Sequence, residues 1–236
     1  MSSRFAQIIK QAKFTCDPKN KPSFAANFGK LKQLVDKLTA SDLNIDKKVL
    51  DKKPFIPYSK NAPCTYIHLF ENENVIITVF VLSPEYTMPC HDHPEMYGLL
   101  KTIHGRVNIQ SYTTSPDQRF NDLIQEHYCQ EKKRVIVPVN KEIPIELVVD
   151  SPSTVLTPQS NNFHEIMAVD GPCAFFDILS PPFESNKIES SFYKKVKISQ
   201  NINKDQVFLE RIPGPDNYYC DAADYELPEF IHSEMT

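Results

Sequence analysis

The sequence predicts a mainly β protein, a β-sandwich or a double-sheet jelly roll, with a helical region at its N-terminus. Three observations carry that expectation. Apolar residues recur at helical spacings of three and four through the first forty or so positions, then give way to strand-like runs from Thr65 onward. Eight or more short runs of β-branched and aromatic residues follow at fairly regular spacing. Proline recurs at the expected strand edges and turns (Pro138, Pro144, Pro152, Pro158), in a chain with 19 Pro and only 5 Gly.

Each element has its own justification. Phe5, Ile8, Ile9 and Ala12 fall on one face of a first helix, and Phe24, Phe28, Leu31, Val35 and Leu38 on one face of a second. Pro18 and Pro22 separate the two, and Thr39-Ala40-Ser41-Asp42 closes the second. Such stripes dock a helix against the body of a domain. Residues 46–59 are charged and proline-bearing and read as a connection. Strands are expected at 65–70, 74–82, 98–112, 123–130, 134–139, 145–149, 154–157, 163–169 and 173–179, with candidate edge strands at 192–198 and 207–212. The end, from Tyr218, is acidic, aromatic and irregular. The chain thus reads as one domain: a helical arm at 1–45 packed on a β barrel at 46–236 with an irregular C-terminal tail.

Composition narrows the function classes. At 236 residues with 41% hydrophobic content the chain can bury a real core. A formal charge of −4 and the lack of a basic, aromatic-interleaved stripe argue against nucleic acid as a partner. No apolar run reaches membrane-spanning length and the start lacks a signal-peptide core, so a cytoplasmic location is expected, with the nucleus as an additional option. The six cysteines (Cys16, Cys64, Cys90, Cys129, Cys173, Cys220) are scattered without a Cys-x-x-Cys pair, which fits reduced thiols rather than a disulfide framework.

The chemistry concentrates at Pro89-Cys90-His91-Asp92-His93-Pro94-Glu95-Met96. On a strand, positions two apart share a face, so His91 and His93 can converge on one atom, and imidazole suits iron, copper, zinc and nickel. A third ligand must be a nearby carboxylate or a histidine from another strand. An all-β barrel bearing His-x-His resembles the cupin family, whose first motif continues with a Glu and then a Gly. Here Tyr97 and Gly98 stand at the Glu position and Gly105 at the glycine position, and Glu95 lies too close behind Pro94 to serve. The second cupin motif supplies a histidine, and Asn161-Asn162-Phe163-His164-Glu165-Ile166 fits it. The expected metal ligands are therefore His91, His93 and His164. Three neutral imidazoles leave Fe(II) its full +2 charge, which favours an anionic thiolate ligand. The bland alternative makes His91 and His93 surface residues and His164 a core one. Cys90 should turn away from the metal face, Met96 can line the cavity or the core, and His68, His104, His127 and His232 have no partners at ligand spacing.

His91-Asp92-His93-Pro94-x-Met96 with Gly98-x-Leu100-Lys101, then Phe163-His164 and the block from Cys173 through Asp177 to Pro181-Pro182-Phe183, resemble the cysteamine dioxygenases and plant cysteine oxidases. The resemblance runs from about residue 55 to the end. It implies a cupin-type double-sheet jelly-roll barrel working as a non-haem Fe(II) thiol dioxygenase, with one iron per chain. Such an enzyme uses O2 to turn cysteamine, or the N-terminal cysteine of a protein, into a sulfinic acid, and can serve as an oxygen sensor. It also implies that Asp177 lies near the iron to meet the substrate amine or relay a proton. The residues themselves agree, because a carboxylate between Phe176 and Ile178 on a strand is costly without a purpose. Where the family commonly has Asp-Cys-x-Tyr-Tyr, this chain has Glu189-Ser190-Ser191-Phe192-Tyr193. A Cys–Tyr crosslink is impossible there, while Tyr193 can present its hydroxyl to the site or simply pack. A monomer is the first expectation. The rivals are a different metal-dependent cupin enzyme and a non-enzymatic metal- or ligand-binding cupin.

Overall fold

The computed structural model describes residues 3–57, 61–117, 134–182, 190–197 and 206–228. Its N-terminal part holds α1 (Arg4–Cys16), a 3-10 segment (Pro18–Ser23), α2 (Phe24–Val35), α3 (Ala40–Leu43) and α4 (Lys47–Leu50). The first two helices match the apolar stripes. Two local expectations differ. Thr39 to Asp42 forms a capping box that starts α3 instead of ending α2, because Thr39 and Asp42 satisfy each other's backbone donors. The charged connection contains a helical turn, α4, capped by Asp46 and anchored by the buried Leu50.

The β part comprises β1 (Cys64–Glu71), β2 (Ile76–Leu82), β3 (Thr87–Asp92), β4 (Tyr97–Thr114), β5 (Ile136–Lys141), β6 (Ile145–Val148), β7 (Thr154–Leu156), β8 (Phe163–Ser180), β9 (Phe192–Val196), β10 (Gln206–Ile212) and β11 (Cys220–Ala222). Six of them close a ring through antiparallel pairs: β8 to β3, β3 to β9, β9 to β10, β10 to β5, β5 to β4, and β4 back to β8. This is the jelly-roll barrel that the resemblance implies and one of the two architectures the strand count left open, with β2, β1 and β11 extending one side. Closure removes the free edges that an open sheet would expose. Hence β9 and β10, expected at an edge, lie inside the ring. The expected strand at 123–130 falls outside the described residues, as do Phe183, Glu189, His127 and His232.

The runs at 163–169 and 173–179 join into the single long β8. Asp170 and Gly171 take positive φ values of 56° and 137°, which bends the strand without ending it. Opposite the bend, Gly105 has φ 65°, and a side chain there would overlap the Pro172 carbonyl oxygen. The motif glycine is needed for this close approach of two long strands.

Alternation along β8 divides the interior. Ala174, Phe176 and Ile178 face outward and pack with Phe5, Ile8, Ile9, Leu31 and Val35 of the helical arm, where the Phe5 and Phe176 rings meet edge to face at 6.2 Å. Phe175, Asp177 and Leu179 face the barrel cavity. The arm is also tied by polar contacts: Arg4 to Asp42 at 2.7 Å, and Asp36 accepting from the Ser153 amide at 2.7 Å. The helices therefore cover the outer face of the strand that carries Asp177.

Candidate metal centre

β3 runs antiparallel to β8 in a register that places His91 opposite His164. His93 follows directly after the end of β3. All three histidines are buried, and their ligand nitrogens lie within 4.8 Å of one another. Nε2 of His93 and Nε2 of His164 are 3.1 Å apart, and the three ring centroids are separated by 4.7–4.9 Å. Metal–nitrogen bonds of about 2.1 Å bring two ligand atoms to within about 4 Å of each other. Small ring movements are enough to close this cluster on one ion.

Protonation agrees with that use. Burial holds all three imidazoles below their ordinary value, and for His93 and His164 the neighbouring rings push it down further. The lone pairs that a metal requires are thus available at neutral pH. His91 Nδ1 lies 2.8 Å from the Pro89 carbonyl, so that nitrogen carries the proton and Nε2 is left to bind.

The backbone around the ligands is held by residues that spacing alone did not single out. Asn162 forms a two-way clamp on His93, accepting from its amide at 3.2 Å and donating to its carbonyl at 2.7 Å. Asp92, between the two histidines, fastens β9 to β3. Its carboxylate accepts from the Ser191 amide at 2.7 Å and from the Tyr193 hydroxyl at 2.8 Å, and its carbonyl accepts from the Ser190 hydroxyl at 2.7 Å. The β3–β9 register pairs just His91 with Phe192, so these side-chain bonds supply much of the closure there.

A cavity of about 120 Å³ opens on the histidines. Its wall is mostly apolar (Phe80, Met88, Leu100, Ile166, Phe175, Leu179), and Asp177 is the one acid among the described lining residues. Burial pushes the Asp177 carboxyl up to about 7, against a smaller opposing effect from the Ile178 amide. The remaining wall comes from Ser190, Phe192 and Tyr218.

The expected site residues fall as follows. His91, His93, His164 and Asp177 share this cavity. Tyr193 is on the other face of β9: its hydroxyl bonds Asp92 and its ring packs with Phe163, Cys90 and Tyr112. The side chain that does face the cavity from that pair is Phe192, whose centroid is 6.3 Å from that of His91. Cys90 turns away into the same cluster as Tyr193, its thiol pushed up to about 12 by burial. Met96 is in the core with Leu156 and Leu179. Glu95 sits exposed at a turn with φ 60°, while the Tyr97 ring meets Phe24 at a tilt at 4.8 Å and Phe28 edge-on at 6.1 Å, so neither offers a ligand. Tyr218 is one of the lining residues the sequence did not reveal, with the apolar wall residues. It stands in a stretch with no periodicity, and its role depends on a long-range return of the chain.

A family model for PCO_ADO matches residues 34–230. The chain belongs to the PCO_ADO family. This is a family of thiol dioxygenases. Among curated relatives, the 2-aminoethanethiol dioxygenase of Homo sapiens is 31% identical over 229 residues, covering 88% of this chain and 83% of that one. Plant cysteine oxidase 1 of Arabidopsis thaliana is 25% identical over 165 residues, or 65% of this chain and 49% of that one. A solved cupin superfamily protein from Desulfitobacterium hafniense aligns over 55% of this chain and 93% of its own, with 12% identity and a TM-score of 0.33. Ser190 and Phe192, where the resemblance implies a cysteine and a tyrosine, both line the cavity.

Proposed function

We propose that this thiol dioxygenase binds one Fe(II) through His91, His93 and His164 and converts an aminothiol, either cysteamine or the N-terminal cysteine of a protein, into its sulfinic acid with O2. The observation that carries the reading is the convergence of three neutral imidazoles with one buried carboxylate in a single apolar cavity. The donor set fits the metal: three nitrogens from neutral rings suit Fe(II) and leave its charge undiminished. When bound, the iron supplies the redox chemistry that joins dioxygen to sulfur.

The protein's residues do the rest. The apolar wall of Phe80, Met88, Leu100, Ile166 and Phe175 excludes water from the reacting sulfur. Asp177 receives the substrate's ammonium group, and charge pairing with that cation offsets the cost of ionising a buried carboxylate. Both proposed substrates carry the amine two carbons from the sulfur, so one carboxylate can orient either. Tyr193 acts at one remove, as a positioning residue that holds Asp92 and with it the strand segment between the ligands. The closeness of a 2-aminoethanethiol dioxygenase among its relatives supports the small substrate, and a plant cysteine oxidase among them supports the peptide.

Among the described residues no helix is long and apolar enough to cross a membrane. A monomer in the reducing cytoplasm is part of this proposal, since its substrate must be a free thiol. Mass spectrometry tests the reading. Iron-loaded protein is incubated in air with cysteamine and, separately, with a short peptide beginning with cysteine. A gain of two oxygen atoms on one or both is the expected result, and no gain on either refutes the catalytic assignment.

A further inference from the structure

The segment that completes the cavity wall carries a pair of cysteines. Tyr218 lines the cavity and its ring meets that of Phe192 at 5.5 Å. Two residues later the chain enters β11, three exposed residues that pair in parallel with β1. That register sets Cys220 opposite Cys64, with Asp221 and Ala222 opposite Thr65 and Tyr66. Paired strands lie about 4.8 Å apart, within the roughly 4.4–6.8 Å between Cα atoms that a disulfide spans. The two thiols interact directly with each other. Cys220 is exposed and Cys64 is fully buried. Cys220 Sγ also reaches the Tyr218 hydroxyl at 3.7 Å, and the Lys52 ammonium lies 3.4 Å from the adjoining Asp221.

We propose that Cys64 and Cys220 form a reversible intrachain disulfide, made by exchange with a small-molecule disulfide, that fastens the Tyr218 segment to the barrel. The exposed Cys220 thiolate attacks one sulfur of the small disulfide, forming a mixed disulfide and expelling one thiolate. Cys64 then gives up its proton and attacks the Cys220 sulfur, expelling the second thiolate. The protein loses two hydrogens and two electrons, the small disulfide becomes two thiols, and excess thiol reverses the exchange. Contact with Cys64 lowers the Cys220 thiol from its ordinary value and raises that of Cys64, which agrees with the order of attack. The other described cysteines are poorer candidates. Cys90 and Cys173 are buried with thiols pushed up to about 12, and Cys16 is half-buried on α1.

The segment is otherwise held by non-covalent contacts alone, among them Tyr218 against Phe192 and Tyr219 against Phe55. Tyr86 donates to the Asn217 carbonyl at 2.8 Å, and Thr65 donates to Asp221 at 2.5 Å, beside the three-residue ladder. A covalent tie two residues from Tyr218 holds that wall in place. The proposal concerns the segment and stands apart from the identity of the substrate.

The test equilibrates the full chain, with its metal, in glutathione buffers from reduced to oxidised, then traps thiols and maps disulfides by mass spectrometry. The oxidised sample should yield a peptide joining Cys64 to Cys220, lost on adding dithiothreitol. Backbone amides at 218–223 should exchange about tenfold or more slowly than in the reduced sample. Cys220→Ser should abolish the joined peptide and the difference in exchange. Cys64→Ser should accumulate glutathione on Cys220. A Cys220 found solely as the glutathione adduct in the unmodified chain at every ratio would overturn the proposal. So would equal exchange at 218–223 in both buffers.

Discussion

The two sides of the cavity are built differently. On the ligand side the histidines sit on or next to β3 and β8, paired in register, with Pro89, Asn162 and Asp92 bonding the rings or the backbone that carries them. Next to it, Ser190 and Phe192 join the wall from the β9 segment that pairs with β3, and Tyr218 completes it from a later return of the chain. The Tyr218 segment is held by a three-residue ladder, a few hydrogen bonds and ring contacts of Tyr218 with Phe192 and of Tyr219 with Phe55. The ligand side is held from several directions at once, as a metal site requires.

The largest effects should come from the ligand side. His164→Ala removes one of three nitrogens and leaves a two-ligand site, so bound iron and thiol oxidation should both fall to background. Metal analysis and oxygen uptake on the same sample check this. Asp177→Asn keeps the shape of the cavity and removes its charge. It should lower kcat/KM by about 10²- to 10⁴-fold with iron content unchanged, which steady-state oxygen uptake can separate. If the carboxylate is merely structural, turnover will stay within a few-fold of normal.

The same residue should reveal its cost to the fold. A native carboxyl raised to about 7 from an ordinary 3.8 keeps its proton while the unfolded chain has lost it. Stability from this group is therefore complete at low pH and is lost as pH rises from about 4 to about 7. In metal-free protein at pH 8, Asp177→Asn should be more stable by up to about 4 kcal/mol, with no difference near pH 4. The three histidines titrate in both proteins and cancel in that comparison. Urea unfolding at the two pH values measures it.

Smaller effects probe the supports. Asn162→Ala breaks the clamp on His93 and should weaken iron binding by about 10- to 100-fold, read by competition with a chelator. Tyr193→Phe deprives the buried Asp92 of one donor. It should lower stability by about 1–3 kcal/mol and weaken iron binding by about tenfold, while KM for the thiol stays constant. A change in KM alone would place the Tyr193 hydroxyl at the substrate instead.

Much of the ligand side was legible in the sequence because it depends on local rules. His-x-His is a spacing argument, and Asp177 stood out as a charge between two large apolar neighbours on a strand. Gly105 was placed at the motif's glycine position, but the close backbone approach it allows is seen only in the fold. Tyr218 was not legible as part of the wall, because no periodicity links it to lining residues that lie 26 to 138 positions earlier. The placement of β9 and β10 inside the ring was hidden for the same reason: partner choice between distant strands leaves no local trace. β8 was divided in two because Asp170-Gly171-Pro172 reads as a turn, whereas the long pairing with β4 carries the strand through it.

The most direct measurement is an iron titration of the metal-free chain beside His164→Ala, each followed by thiol-dependent oxygen uptake. The account requires one tightly bound Fe(II) per chain with oxygen uptake in proportion to it, and neither in the variant. A variant that binds one iron and oxidises thiol at the normal rate would contradict the three-histidine centre.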